Sequence, residues 1–340
     1  MTGNATQSKA KISVIIVNYN AGDRLRRCLE ALAGQTRQAD EIIVIDNGSQ
    51  DDSLKLAESE NPRATIIRAG ENLGFAVANN RAVAKTECDW IAFLNPDAYP
   101  FADWLAKIET AITRFPDCHA FGSLQIDANN PDLLDGAGDV FHASGAPYRG
   151  HFHWPLATAP DDGECFSPCA AAAVYRKSTF EKLGGFEESF FCYCEDVDLG
   201  YRLRLAGGHA IQLSGARVLH EGSGVTGRHS AFSIYHGHRN RIWTYVRNTP
   251  APVLLVSLPY FLCMNLMSLA ACAFAGQGGA YLRAMRDAAA GLAQQMTARQ
   301  RIQAARKISA WEACAMLTWS PIALFRRRAD IRAIHSSKPH

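Results

Sequence analysis

Ten cysteines are present, yet none forms a Cys-x-x-Cys pair, and Cys165 with Cys169 or Cys192 with Cys194 sit between apolar neighbours. That spacing makes a structural zinc set an unattractive reading. No Gly-x-Gly-x-x-Gly directly follows the first strand-like run, which argues against a dinucleotide oxidoreductase. The net charge of +2 supplies no case for nucleic acid. Internal repeats and low-complexity tracts are missing. Residues 1–10 are small and polar, and the apolar run at 12–17 is too short for a secretory signal core. The cysteines are therefore expected as free thiols in a reducing compartment.

What is present is a long chain with an ample core: 340 residues, 48% hydrophobic and 20% charged, enough for one large domain or two ordinary ones. Residues 11–19 (KISVIIVNY) are a continuous β-branched run of the kind buried on both faces of a sheet. Asp23 is placed to cap a helix with Leu25, Cys28, Leu29 and Leu32 on its apolar face. Further strands are expected at 41–46, 65–68 and 90–94, and helices at 51–60, 74–84 and 101–115. Strand and helix alternate with short links, the pattern of a doubly wound α/β layer with a mostly parallel sheet and helices on both faces. Such sheets bind ligands at the carboxyl ends of their strands. Three polar clusters fall there: Asn18-Tyr19-Asn20, Asp46-Asn47-Gly48-Ser49 and Asn95-Pro96-Asp97. That is the layout of a nucleotide site.

The rhythm breaks at 126–165, a stretch rich in Gly, Asp, Pro and His that reads as long loops or a small hairpin over the rim. A strand is expected at 170–175 and a short helix capped by Ser178. Next comes a segment in which Glu195, Asp196 and Asp198 interrupt aromatic and apolar residues where a helix begins, with Gly207-Gly208 ending it. Acids in a first helical turn are often only dipole partners. Short strands at 210–213 and 217–219 lead to His220 and a polar loop. Acids concentrate between 40 and 200 and arginines after 230, as if one end meets an anionic surface. Residues 235–246 read as a basic helix. Residues 253–275 then carry no charge over 23 positions, long enough to cross a bilayer, although Pro259 and Asn265 interrupt them and basic residues flank both ends. A shorter apolar run, 311–325, ends at Arg326-Arg327-Arg328. Membrane attachment is expected from these runs, whether by spanning, dipping in or lying flat; the alternative is a helical pair packed on the rest of the protein.

Taken in order, six motifs resemble the inverting family 2 glycosyltransferases of GT-A fold, and within them the bacterial rhamnosyltransferase-like branch. They are Val14-Ile15-Ile16-Val17-Asn18-Tyr19-Asn20, Val44-Ile45-Asp46-Asn47-Gly48-Ser49, Glu71-Asn72-Leu73-Gly74-Phe75-Ala76 with Asn79-Asn80, Leu94-Asn95-Pro96-Asp97-Ala98, Gly184-Gly185-Phe186-Glu187-Glu188, and Glu195-Asp196-Val197-Asp198. The resemblance spans about residues 11–248 and implies a GT-A, Rossmann-like glycosyltransferase domain over 1–248, followed by a helical, membrane-associated region over 249–340.

It also implies roles. Asn18, Tyr19, Asn20, Asp46, Asn47, Ser49, Asn72, Gly74, Phe75, Asn79 and Asn95 would bind a nucleoside diphosphate sugar, with Asp46 on the nucleoside. The backbone at Asn72–Phe75 would face the diphosphate, where Gly74 permits close approach. Asn79 and Asn80 are equally accounted for as caps on neighbouring backbone. Asn95-Pro96-Asp97 stands where the family has Asp-x-Asp, so one carboxylate is replaced by an amide; Asp97, with His220, would hold Mg²⁺ or Mn²⁺ on the leaving diphosphate. Asp196 would be the base that takes the acceptor proton, Glu195 would hold the acceptor or orient its loop, and Asp198 would support the helix. Arg202, Arg204, Arg228 and Arg239 are either phosphate contacts or a solvated basic face. The expected reaction is sugar transfer, L-rhamnose from dTDP-rhamnose first, to a hydroxyl of a lipid-linked or surface-polysaccharide acceptor at the cytoplasmic face of the inner membrane. UDP-hexose or UDP-galactofuranose donors are alternatives. So is a catalytically idle membrane partner in glycan assembly, suggested by Asn95.

Overall fold

The computed structural model describes residues 10–60, 63–222 and 230–334. Four strands, β1 (Ile12–Asn18), β2 (Glu41–Asp46), β3 (Ala64–Arg68) and β4 (Trp90–Leu94), pair in parallel in the spatial order β3-β2-β1-β4. Side chains alternate across a strand, so Ile12, Val14 and Ile16 enter one core while Ile15 enters the other. Both faces must then be covered. Helices Asp23–Ala33 and Trp104–Arg114 cover the first face through Leu25, Leu29, Leu105 and Ile108. Helices Gly74–Val83 and Glu195–Leu205 cover the second through Ala78, Ala82, Leu199 and Leu203. Each fully buried Val, Ile or Leu contributes about 1.5–3 kcal/mol, which is why continuous apolar runs mark these strands.

The remaining strands are β5 (Ala98–Pro100), β6 (Ala120–Asp127), β7 (Leu134–Gly136), β8 (Asp139–Phe141), β9 (Pro147–Arg149), β10 (Gly163–Glu164), β11 (Ala172–Arg176) and β12 (Ala210–His220). The sheet continues from β4 through antiparallel β11 to β6, β12 and β10, with β5 on β12 and β7 on β6. β8 and β9 form a separate hairpin. The expected mixed α/β sheet is thus present, with the order of strand addition reversing between β1 and β4.

Several local expectations are corrected. β6 has no counterpart in the sequence reading because Gly122, Ser123 and Gln125 break its apolar pattern, although all its residues are buried. The two short strands expected at 210–219 are one strand with a register shift between Leu213 and Arg217. Asp23 is not a cap but the first helical residue, paired with Arg26; Gly22 occupies the cap. Ser178 likewise lies inside helix Lys177–Lys182, after Arg176 at the cap.

Toward the C-terminus, helix Ala231–Asn248 receives helices Gly278–Ala290 and Leu292–Ala304: Trp243 Nε1 donates to the carbonyl of Ala288, and Arg299 to those of Val246 and Thr249. The apolar run at 311–325 is not one helix. It splits into Ala310–Ala315 and Pro321–Phe325 around Thr318, whose backbone pairs with the segment after β8. The chain then returns to the sheet edge, where Arg332 bridges to Glu164 of β10. All ten cysteines are free thiols.

Candidate active site

A cavity of about 1150 Å³ opens at the carboxyl ends of β1, β2 and β4, beside the reversal of strand order. Tyr19, Asn47, Asn72, Gly74, Phe75, Asn95, Asp97, Glu195, Asp196 and His220 all line it. The carboxylates of Asp97 and Asp196, almost a hundred positions apart in the chain, therefore face one space.

The other expected donor residues, Asn18, Asn20, Asp46, Ser49 and Asn79, are not on its wall. They brace the loops that are. Buried Asn18 donates from Nδ2 to Asp46 Oδ1 at 2.8 Å and to the hydroxyls of Ser49 and Ser53. Asn20 accepts from the backbone of Gln50. Asn79 donates to the Phe75 carbonyl within its own helix, and Asn80 grips both backbone groups of Phe186. On the wall itself, Asn47 Oδ1 accepts from the Leu73 N–H and its Nδ2 donates to Asn72 and to the Gly74 carbonyl, which ties the second strand-end loop to the start of helix Gly74–Val83. Gly74 has φ +78°, and a Cβ there would come within 2.6 Å of Phe191. Only glycine fits both demands.

Asp97 and His220 meet because β12 ends beside the loop after β4, where its last three residues pair with β5. His220 is buried, with Nδ1 2.6 Å from Asp135 Oδ2 and Nε2 3.3 Å from Asp97 Oδ1. Burial by itself would lower the imidazole pKa; the Asp135 and Asp97 carboxylates outweigh it and raise it to about 9. Asp135 is also paired with Arg149 from β9. Neither was singled out from sequence. Their segment was recognised as a cover over the rim, but nothing local marks which of its acids turns inward.

The acidic stretch reaches the cavity through an unusual turn. Phe191, Tyr193 and Cys194 all have positive φ, values that non-glycine residues adopt only where surroundings enforce them. Helix Ala231–Asn248 does so: the Asn240 amide donates to the carbonyls of Phe190, Cys192 and Tyr193, and Arg239 to those of Ser189 and Phe190. Asp196, in the first turn of the following helix, accepts from the Ala170 N–H at Oδ2, 3.0 Å, and from the Val197 N–H at Oδ1, 2.8 Å. Asp139 of β8 and Cys169 lie beside it, all three ligand atoms within 4.8 Å of one another. Burial and the nearby Asp196 push Asp139 well above the usual carboxylate range, and burial pushes the Cys169 thiol up to about 12. Glu195 is raised well above its ordinary value by burial and by Asp196, and its Oε2 has no hydrogen-bond partner among the described residues.

Asp198 points the other way. It is fully buried, 2.8 Å from Arg202 and 3.4 Å from Arg247, and accepts from Asn248, so it locks its helix to helix Ala231–Asn248. Of the arginines considered for phosphate, Arg202 is spent on Asp198, Arg204 on Glu164 and Arg239 on the turn carbonyls. Arg228, with Ser223 and Gly224 of the polar loop, lies outside the described residues.

A family model described as glycosyl transferase family 2 matches residues 13–184. An N-acetylglucosaminyl-diphospho-decaprenol L-rhamnosyltransferase of Mycobacterium tuberculosis is 29% identical over 260 residues, covering 69% of this chain and 83% of the relative. The O-antigen chain rhamnosyltransferase RfbN of Salmonella typhimurium is 30% identical over 207 residues, 57% of this chain and 63% of the relative. Among solved structures, GalNAc-T7 with UDP, GalNAc and Mn²⁺ superposes with a TM-score of 0.62 at 16% identity, covering 78% of this chain and 52% of that one. At that identity the likeness speaks for the fold alone.

Proposed function

This chain is a glycosyltransferase of family 2, and we propose that it moves L-rhamnose from dTDP-rhamnose, with inversion, onto a hydroxyl of a lipid-linked glycan. The observation that carries the reading is the shared cavity of Asp97 and Asp196 at the strand ends. Inversion needs one base on the side of the sugar away from the leaving group. Asp196 suits that task. Two backbone N–H groups fix its carboxylate, and burial together with the nearby Asp196 raises the Asp139 and Glu195 carboxyls beside it well above their ordinary values. Glu195, on the same wall, would hold the acceptor.

The donor would lie over Tyr19, Asn47, Asn72, Gly74, Phe75 and Asn95, with Asp46, Asn18, Asn20, Ser49 and Asn79 holding the surrounding loops. A divalent cation fits Asp97 and His220, where it would displace the Nε2 proton that the two flanking carboxylates favour. Their facing atoms stand 3.3 Å apart, close to the ~3 Å between neighbouring ligands of an octahedral ion bound at ~2.1 Å. Asp135 on Nδ1 leaves Nε2 as the ligand atom. The Asp139–Cys169–Asp196 group suits a cation less well, because burial pushes its thiol up to about 12 and raises the Asp139 carboxyl well above the usual range. Mg²⁺ or Mn²⁺ at Asp97 and His220 would stabilise charge on the departing diphosphate.

Two relatives carrying rhamnosyltransferase names support the sugar, and one with a diphospho-decaprenol acceptor supports the lipid carrier. We place the enzyme at the cytoplasmic face of the inner membrane, with residues 1–248 as the catalytic part and 249–340 as the membrane-associated part. Helix Ala251–Phe274 is long and apolar enough to cross a membrane. The test is turnover: purified protein with Mn²⁺ or Mg²⁺, a panel of dTDP-rhamnose, UDP-hexoses and UDP-galactofuranose, and a lipid-linked acceptor. Release of dTDP with a product heavier by one deoxyhexose is expected. No nucleoside diphosphate from any donor would sink the proposal.

A further inference from the structure

We propose that helix Ala251–Phe274 does not cross the bilayer but lies along its surface, and that it forms with Pro321–Phe325 and Arg326-Arg327-Arg328 a docking face for anionic lipid at the mouth of the catalytic cavity. The inference deepens the membrane reading above and rests on it.

The helix is held along its whole length. Val253, Ser257 and Cys272 are buried, and with half-buried Phe261, Asn265 and Ser268 they recur at the three- and four-residue spacing of one helical stripe. Tyr245 hydrogen-bonds Ser257 and stacks on Phe261 near one end. At the middle, Asn265 Oδ1 accepts from the buried guanidinium of Arg241 at 2.7 Å and from the Tyr281 hydroxyl. Near the far end, Cys272 lies against His238. Crossing would place Arg241 at mid-membrane depth, where ionised groups are strongly disfavoured. The packed stripe instead keeps the helix axis along the protein surface.

The rest of the circumference is apolar and faces outward: Leu255 is 75% exposed, Leu266 69% and Phe274 95%. So large an exposed apolar face marks an interaction surface. It continues onto the tail, because Tyr260 packs edge-on against Trp319, next to the helix that exposes Ile322 and Phe325. The arginines follow at once, and their backbone is pinned by the cavity's cover. The carbonyls of Arg326, Arg327 and Arg328 accept in turn from Trp154 Nε1, the His151 N–H and the Tyr148 hydroxyl. All three arginines are exposed, and Arg327 also lines the cavity. An apolar ridge edged by clustered arginines complements an anionic bilayer, acyl chains to the ridge and headgroups to the guanidinium groups. A lipid-borne acceptor would then reach Asp196 from the membrane side.

The test uses the full chain with phosphatidylcholine vesicles with and without phosphatidylglycerol. Binding should rise at least tenfold with phosphatidylglycerol, and fall at least tenfold in Arg326→Ala/Arg328→Ala and in Leu255→Glu/Leu266→Glu. Spin labels at cysteines replacing Leu255, Leu262, Leu266 and Ala273, one outward stripe, in a Cys263→Ser/Cys314→Ser chain, should report one shallow depth. A maximum at 262–266 with shallow ends means a spanning helix and overturns the proposal. So does failure to bind vesicles, or a lipid-free dimer that the Leu→Glu pair dissociates, which gives the face to a second copy. Turnover on a soluble acceptor analogue is measured alongside. Its loss in every form counts against the transferase reading, whereas the vesicle results judge the docking face.

Discussion

His220 Nδ1 donates to Asp135 Oδ2 at 2.6 Å, and this one bond aims the opposite ring nitrogen at Asp97, 3.3 Å away. Asp135→Asn should therefore weaken Mn²⁺ binding by about 10- to 100-fold, the usual cost of losing the group that orients a ligating histidine. Titrating activity against Mn²⁺ checks it: the half-saturating concentration should rise, and saturating Mn²⁺ should recover most of kcat. An unchanged Mn²⁺ dependence would take His220 out of the cation site.

Asp196→Asn keeps the shape of the first helical turn and removes the base. Turnover should fall by about 10²- to 10⁴-fold, the span expected for a general base, while donor affinity by calorimetry stays within a few-fold. Loss of donor binding in a folded variant would move Asp196 to the donor side.

The turn that delivers Asp196 is held from outside, so it should fail from outside. Asn240→Ala strips the side-chain partner from the Cys192 and Tyr193 carbonyls and one of two from Phe190 and should cost about 1–3 kcal/mol in denaturant unfolding. It should also lower kcat more than it raises the donor KM. If stability falls and kcat does not, the strained turn is structural only.

Asp198 makes part of the stability pH-dependent. Burial alone would raise its pKa, but Arg247 and Arg202 overcome this and hold it below the ordinary carboxylate value of 3.8. The unfolded chain then takes up the proton first as pH drops. The contribution is complete above the unfolded pKa and is lost as pH falls through the depressed folded value. Asp198→Asn should cost about 3 kcal/mol at pH 7, the low end for a broken buried pair, since Glu187 still meets Arg247. Its melting temperature should also fall less steeply than the parent's below pH 4. Parallel acid limbs would exclude this origin.

The first parallel strands and the rim they end on are written in the amino-acid pattern. β1, β2 and β4 were legible because burial on both faces writes a continuous apolar run into neighbouring residues, and the polar clusters that end those strands supplied most of the cavity wall. The acids at 97 and 196 could be named because each sits in a compact motif. Which acid serves His220 is set by packing: Asp135 lies 85 positions earlier in the chain, and its partner depends on strand register rather than on local pattern. The same holds for β6, whose Gly122, Ser123 and Gln125 hide its burial, and for Asn240, one polar residue in a basic helix until packing sets it against the 190–194 turn. A periodic pattern records what one element buries; a pairing between distant elements is fixed by how they pack, and no single stretch of chain carries that information.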